Sequence, residues 1–179
     1  MKDTLVTKFK WFWGWQDDKQ EAWLGAMSQA GLQLQNIRAF GRYIFEVDTT
    51  KNYVYRMDFT SGRDSDYFHL IEEAGWEHVL QVLGWQYWRK ETLEGVTAEI
   101  FTDNESKIKK YQRYLTSIFV PTTGSMFIVL ALFARFPSRH PQWVVIMTLS
   151  IFAAWSLFLA VNAVKVVQRI NELKRMKSL

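Results

Sequence analysis

The chain has 179 residues and no cysteine, which excludes a disulfide scaffold, a thiolate metal site and a cysteine nucleophile together. At 49% hydrophobic and 22% charged residues it is not intrinsically disordered, and 16% aromatics supply a large core for its size. The net charge of +4 does not describe a nucleic-acid surface, because residues 1–116 hold 15 Lys+Arg against 17 Asp+Glu while residues 117–179 hold 7 against 1.

In chain order, Phe9, Trp11, Trp13 and Trp15 alternate with other residues at the period of a half-buried strand. Asp17 and Asp18 are expected to cap and charge the start of a helix that closes at Ala30-Gly31. Gly41 then divides a predicted hairpin, residues 32–40 and 42–48. The order repeats: Tyr53, Tyr55, Met57 and Phe59 alternate, Asp64-Ser65-Asp66 opens a helix, Ala74-Gly75 closes it, and Gly84 divides residues 76–83 from 85–91. A short strand is expected at 98–101, and Thr102-Asp103-Asn104-Glu105 is expected to cap a charged helix from Ser106.

These two halves read as an internal duplication. A shift of 44 places Phe9, Trp11, Trp13 and Trp15 on Tyr53, Tyr55, Met57 and Phe59, and Trp23, Leu24 and Met27 on Tyr67, Phe68 and Ile71. One residue is then lost, so that residues 41–46 fall on 84–89. The expected fold class is α+β, a tandem strand-helix-strand-strand repeat with antiparallel sheet and helices on one face. A two-helix transmembrane hairpin follows it.

That hairpin rests on two uncharged stretches, 21 residues from Tyr114 to Ala134 and 24 from Pro141 to Val164. At about 1.5 Å per residue each crosses a hydrocarbon layer of about 30 Å. Pro121 is read as lying in the opening turns of the first span, where a missing N–H is tolerated. Nine Lys or Arg flank the outer ends of the pair (Lys107, Lys109, Lys110, Arg113, Lys165, Arg169, Lys174, Arg175 and Lys177) against Arg135 and Arg139 in the loop. This asymmetry predicts a multi-pass protein of the cell membrane with both termini cytoplasmic, and the first residues lack an apolar export segment. The domains expected are a cytoplasmic domain at 1–105 with repeats at about 8–48 and 52–91, and a connector helix at 106–116. Spans at 117–136 and 142–164 and a basic tail at 165–179 complete the chain.

No phosphate loop, nucleophile elbow or zinc-helix motif is present, so no catalytic residue, metal site or cofactor is expected and an unrecognised hydrolase is the weakest reading. His69 and Glu73 share a helix face but make only two ligands, and read better as a surface pair. Arg56 and Asp58 read as a solvent-facing cross-strand ion pair, and Glu72, Glu73 and Glu77 as a solvated face. The aromatic excess leaves two readings open. The rings build the core, or the repeats face each other across an aromatic cleft lined by Trp11, Trp13, Trp15, Tyr55, Trp85 and Trp88, with faces suited to a cation.

The residues Trp11-Phe12-Trp13-Gly14-Trp15, Glu21 to Leu24, Tyr53 to Arg56, Gly75 to Glu77, Gly84 to Trp88 and Ile100 to Lys107 resemble the bacterial domain of unknown function 2812 over roughly residues 8–115. The resemblance implies C-terminal spans and a regulatory or stress-response setting, since such domains are commonly encoded beside PadR-type repressors. It implies no activity. The element order is also similar to GyrI-like small-molecule-binding domains, which often hold an acidic residue in their cleft. Glu46 is the candidate by strand position, although its repeat partner is Arg89. The expected function is therefore a membrane-anchored, non-enzymatic regulatory module. Its partners would be the lipid bilayer and a protein, such as a repressor or transporter, or a small amphiphilic ligand, and no nucleic acid. The alternative is a tethered GyrI-like domain for hydrophobic cations.

Overall fold

A computed structural model describes residues 5–60, 65–91, 98–100, 104–135 and 141–177. The chain divides into two compact units, residues 1–106 and 107–179. The first holds β1 (Leu5–Phe9), α1 (Asp17–Gln29), β2 (Leu32–Arg38), β3 (Arg42–Val47), β4 (Tyr53–Phe59), α2 (Ser65–Glu73), β5 (Glu77–Val82) and β6 (Trp85–Glu91). It is α+β, with two antiparallel three-stranded sheets ordered β1-β3-β2 and β4-β6-β5. Both repeats thus have the same element order and the same strand order.

The two halves agree in detail. Each second strand carries a register break, between Leu34 and Asn36 in β2 and between His78 and Leu80 in β5. Each hairpin turns through two successive residues of positive φ, Phe40 (62°) and Gly41 (68°), and Leu83 (50°) and Gly84 (87°). Two such residues supply the twist that antiparallel strands require. The residue lost between the halves lies in this turn. Arg38 pairs with Arg42 across three residues, whereas Val82 pairs with Trp85 across two.

The opening strand differs from its expectation. β1 ends at Phe9, so Trp11, Trp13 and Trp15 lie in the β1–α1 connection and not on a strand face. Gly14 admits a turn there: the Gln16 amide donates to the Trp13 carbonyl at 2.8 Å, and the Gln16 Oε1 accepts from the Trp13 amide at 3.1 Å. The correspondence of the first strands also changes. Phe9 pairs with Arg42 as Phe59 pairs with Trp85, and the Lys10 and Thr60 amides donate to the equivalent carbonyls of Gly41 and Gly84. Phe9 therefore matches Phe59, not Tyr53. The first repeat has a longer helix, 13 residues against 9, and a longer connection before it, seven residues against five.

The helices do not share one face of one sheet. α1 packs against both β2 and β4, and covers the free edge of β4. The Met57 amide donates to the Glu21 carboxylate at 2.8 Å and the Tyr53 amide to the Ser28 hydroxyl at 2.8 Å, so side chains replace the missing neighbouring strand. α2 instead packs on the second sheet, where Ile71, Trp76 and Trp88 are buried with Val54, Tyr67, Phe68, Ala98 and Ile100 against them. A fully buried side chain of this size contributes about 1.5–3 kcal/mol. The remaining core joins Leu24 of α1, Leu34, Tyr43 and Phe45 of the first sheet, and Tyr55, Met57 and Tyr87 of the second.

Helix termini follow charge more than capping. α1 begins after Gln16 without a side-chain cap, and Asp17 and Asp18 stand in its first turn, where they oppose the positive helix end. Lys90 Nζ donates to the Ala74 carbonyl at 2.7 Å, just past the end of α2. Ala98 to Ile100 form no strand, and Phe101, the cap at Thr102-Asp103 and Asp64 lie outside the described residues.

The second unit is made of α3 (Asn104–Arg135), whose first residues belong to the first unit, and α4 (Gln142–Lys177). Both are long and apolar enough to cross a membrane, and their apolar windows are almost wholly exposed. Pro121 sits inside α3 rather than in its opening turns, and the helix runs through it. Beside Pro121, Thr122 Oγ1 donates back to the Ile118 carbonyl at 2.5 Å within the helix.

Candidate functional site

Two places in the first unit depart from ordinary core and surface. One is the β1–α1 connection. Trp11 is 59% exposed, and Trp13 38%. Trp13 stacks parallel on Trp15 at 5.4 Å and meets Trp11 edge-on at 5.7 Å, which holds the three indoles as one block. Phe12 turns the other way, toward Trp23 and Tyr43, and Lys10 Nζ lies 5.3 and 5.1 Å from the Phe12 and Trp23 rings. The bond from the Lys10 amide to the Gly41 carbonyl at 2.9 Å brings in the β2–β3 turn, whose Phe40 is 86% exposed. Phe9, 71% exposed, pairs with Arg42 beside it. The result is an exposed apolar surface with Arg38 and Arg42 beside Phe9; Glu46 lies on the same sheet face, and Asp17 and Asp18 follow the connection.

The other place lies under α2. Asp58, Gln86 and Trp88 are fully buried there. Asp58 accepts from the Tyr67 hydroxyl at 2.9 Å, and Gln86 Oε1 is 2.9 Å from His78 Nε2. Gln86 Nε2 and the Trp88 indole N–H find no acceptor among the described residues. By strand register the first repeat places Lys8, Tyr43, Phe45 and Leu34 where the second has Asp58, Gln86, Trp88 and His78. The second repeat has therefore made polar what the first keeps mainly apolar, at a desolvation cost.

Between the repeats the polar contacts are satisfied. Gln20 Nε2 donates to the hydroxyls of Tyr43 at 2.8 Å and Tyr87 at 2.9 Å, one from each sheet. The Leu34 amide donates to the Tyr55 hydroxyl at 3.0 Å. Burial pushes the Tyr43 phenol up to about 12, and pushes those of Tyr87 and Tyr55 up as well. At the outer edge, a side-chain hydrogen bond from Arg89 holds the Glu77 carboxyl below its usual range.

The expected site residues do not converge. Tyr55, Trp85 and Trp88 are core, with Tyr55 and Trp85 on one face of the second sheet and Trp88 on the other. Trp11, Trp13 and Trp15 stand apart in their connection. Glu46 is on the face of the first sheet away from Tyr43 and Phe45, where its carboxylate accepts from Gln35 Nε2. Arg56 and Asp58 are not the solvent-facing pair expected. Arg56 binds Glu99 at 2.8 Å and Glu21 at 3.8 Å, while Asp58 is buried. His69 meets Glu72 at 4.0 Å on the surface, and Glu72, Glu73 and Glu77 are exposed. Among the described residues no cluster of His, Asp and Glu is arranged to hold a metal. Sequence reasoning missed Gln20 and Phe40. A polar residue on a helix facing two distant tyrosines has no local signature, but Arg38-Ala39-Phe40-Gly41-Arg42 could have been read as an aromatic turn between cations.

Residues 16–122 match the family described as a protein of unknown function, DUF2812, which is more than half of the chain. The chain belongs to the DUF2812 family. The match runs from the residue before α1 into α3 beyond Pro121, and leaves β1 and the tryptophan-rich connection outside it. No curated protein and no solved structure matches the chain.

Proposed function

We propose that this DUF2812 protein is a membrane-anchored, non-enzymatic module that acts by binding, with its α+β unit and both termini in the cytoplasm. The observation that carries this reading is the pairing, in one chain, of two exposed apolar helices with an α+β unit that displays a tryptophan-rich surface. The nine-to-two cation asymmetry across the helices supports the orientation. The regulatory setting implied by the family resemblance belongs to this proposal. A cation-binding cleft gains no support from Tyr55, Trp85 and Trp88, whose faces are packed into the core.

Reporter fusions at Met1, Ser138 and Leu179 test the anchoring, with cytoplasmic, external and cytoplasmic readings expected; an external terminus overturns the orientation. A photo-crosslinking residue at Trp13 in native membranes tests the binding. A reproducible adduct lost in Trp11→Ser supports it, and labelling no greater than at Gln81, an exposed position of β5, counts against it.

A further inference from the structure

We propose that the β1–α1 connection and the β2–β3 turn form one docking surface for an anionic lipid bilayer, a proposal resting on the reading that α3 and α4 anchor the chain. The apolar part is Phe9, Trp11, Trp13 and Phe40, joined through the Lys10–Gly41 backbone bond. The charged part is Arg38 and Arg42, both exposed; Lys8 lies on the opposite face with Tyr43, and Lys10 reaches toward Phe12 and Trp23. Phe9 pairs with Arg42 and Arg42 with Arg38, so these two cations stand beside an exposed ring on one face of the first sheet.

This combination matches the chemistry of a headgroup layer. Indole and phenyl rings prefer the boundary between water and hydrocarbon, while Lys and Arg reach the lipid phosphates and serines around them. A protein partner would equally cover the rings. The two arginines, in a domain that is slightly acidic overall, favour an anionic occupant. The second repeat supplies an internal contrast. Its turn displays Leu83, 91% exposed, but between Gln81 and Gln86 and without a cation. Exposure is common to both turns, and the aromatic and cationic surround occurs in the first. The bilayer is also the surface within reach of a domain joined to two spanning helices.

The absence of native cysteine allows a single environment-sensitive fluorophore to be attached to the full chain in nanodiscs of phosphatidylcholine and phosphatidylserine. Three variants are compared: Phe40→Cys, Leu83→Cys as the matched turn, and Leu149→Cys in α4. Expected are a blue-shifted emission and quenching by spin-labelled lipid at positions 40 and 149, and neither at 83. In the Phe40→Cys background, Arg38→Gln or Arg42→Gln lowers the docked fraction relative to the free about fivefold each. Phosphatidylcholine alone lowers it further.

Quenching at 149 without quenching at 40, or equal quenching at 40 and 83, overturns the docking surface and leaves the anchor standing. No quenching at 149 overturns the anchor and the proposal with it. Protection of position 40 from a soluble quencher, seen with two copies per disc but lost with one, assigns the surface to a second copy of the chain and also overturns the proposal.

Discussion

Glycines show how differently single residues are constrained. A Cβ on Gly41, at φ +68°, would collide with the Lys10 carbonyl oxygen, a backbone atom fixed by the turn. A Cβ on Gly75, at φ +83°, meets nothing closer than the flexible Lys90 Nζ at 3.4 Å. Positive φ alone costs about 1–3 kcal/mol for a residue with a Cβ. Gly75→Ala is expected to cost that much and Gly41→Ala more, with the tryptophan-rich connection displaced. Thermal unfolding of the two variants, followed by tryptophan fluorescence, decides the order. Buried phenols give a second prediction. Tyr43 titrates at about 12 when folded against 10.0 when free, so the unfolded chain loses its proton first. Its contribution is complete below pH 10 and declines as the pH rises toward 12, in the same direction as the burial of Tyr87 acts. Tyr43→Phe is expected to unfold less steeply with alkali in that window, measured by denaturant titration from about pH 8 to 12.

Elements in this protein are joined by substitutes for strand pairing. β4 is the edge of the second sheet, and α1 occupies the place of a further strand. Ser28 accepts the Tyr53 amide and donates to Gln33 Oε1, so one hydroxyl serves both repeats. Ser28→Ala is expected to cost about 1–3 kcal/mol, because it leaves a buried amide unpaired. Hydrogen exchange should speed up at Tyr53, with that at Tyr87 in the central strand β6 little changed. Equal acceleration at both positions would mean that the helix secures the whole sheet and not its edge. The polar positions under α2 obey another logic. His78, Gln86 and Asp58 break the pattern of an apolar core, yet His78–Gln86 and Tyr67–Asp58 recover part of the cost through hydrogen bonds.

At the scale of the molecule, each unit has its own reasons to hold together. The rings and polar links that join the repeats all lie within residues 5–100, and α3 and α4 are long and apolar enough to span a bilayer, where hydrocarbon would leave their backbone groups no other partner. Residues 1–106 made alone are therefore expected to fold, with a cooperative melt and the near-ultraviolet dichroism of packed tryptophans. A molten unit without that signal would show that the second unit is needed to complete the first.

Patterns local in the chain are legible in its sequence. Gly31, Gly41, Gly75 and Gly84 mark helix ends and turns because few other residues adopt positive φ, and the uncharged runs mark helices apolar enough to span a bilayer. The order of elements and its repetition follow from them. Sequence reasoning fails where one pattern has two physical causes. Alternating Trp11, Trp13 and Trp15 read as a strand, but Gly14 and Gln16 turn the backbone there, and tertiary packing decides whether large rings line a core or a surface. Asp58 is expected in water because charge is usually solvated; only the closure of α2 over the second sheet buries it. Sequence by itself determined most of the helices, strands and glycine turns, since backbone sterics and hydropathy act within a few residues, but not the turn at Trp13–Gln16. Tertiary structure alone decided which aromatics are core, that two sheets share α1, and that Phe40 stands beside the tryptophans, because those outcomes depend on groups brought together from distant parts of the chain.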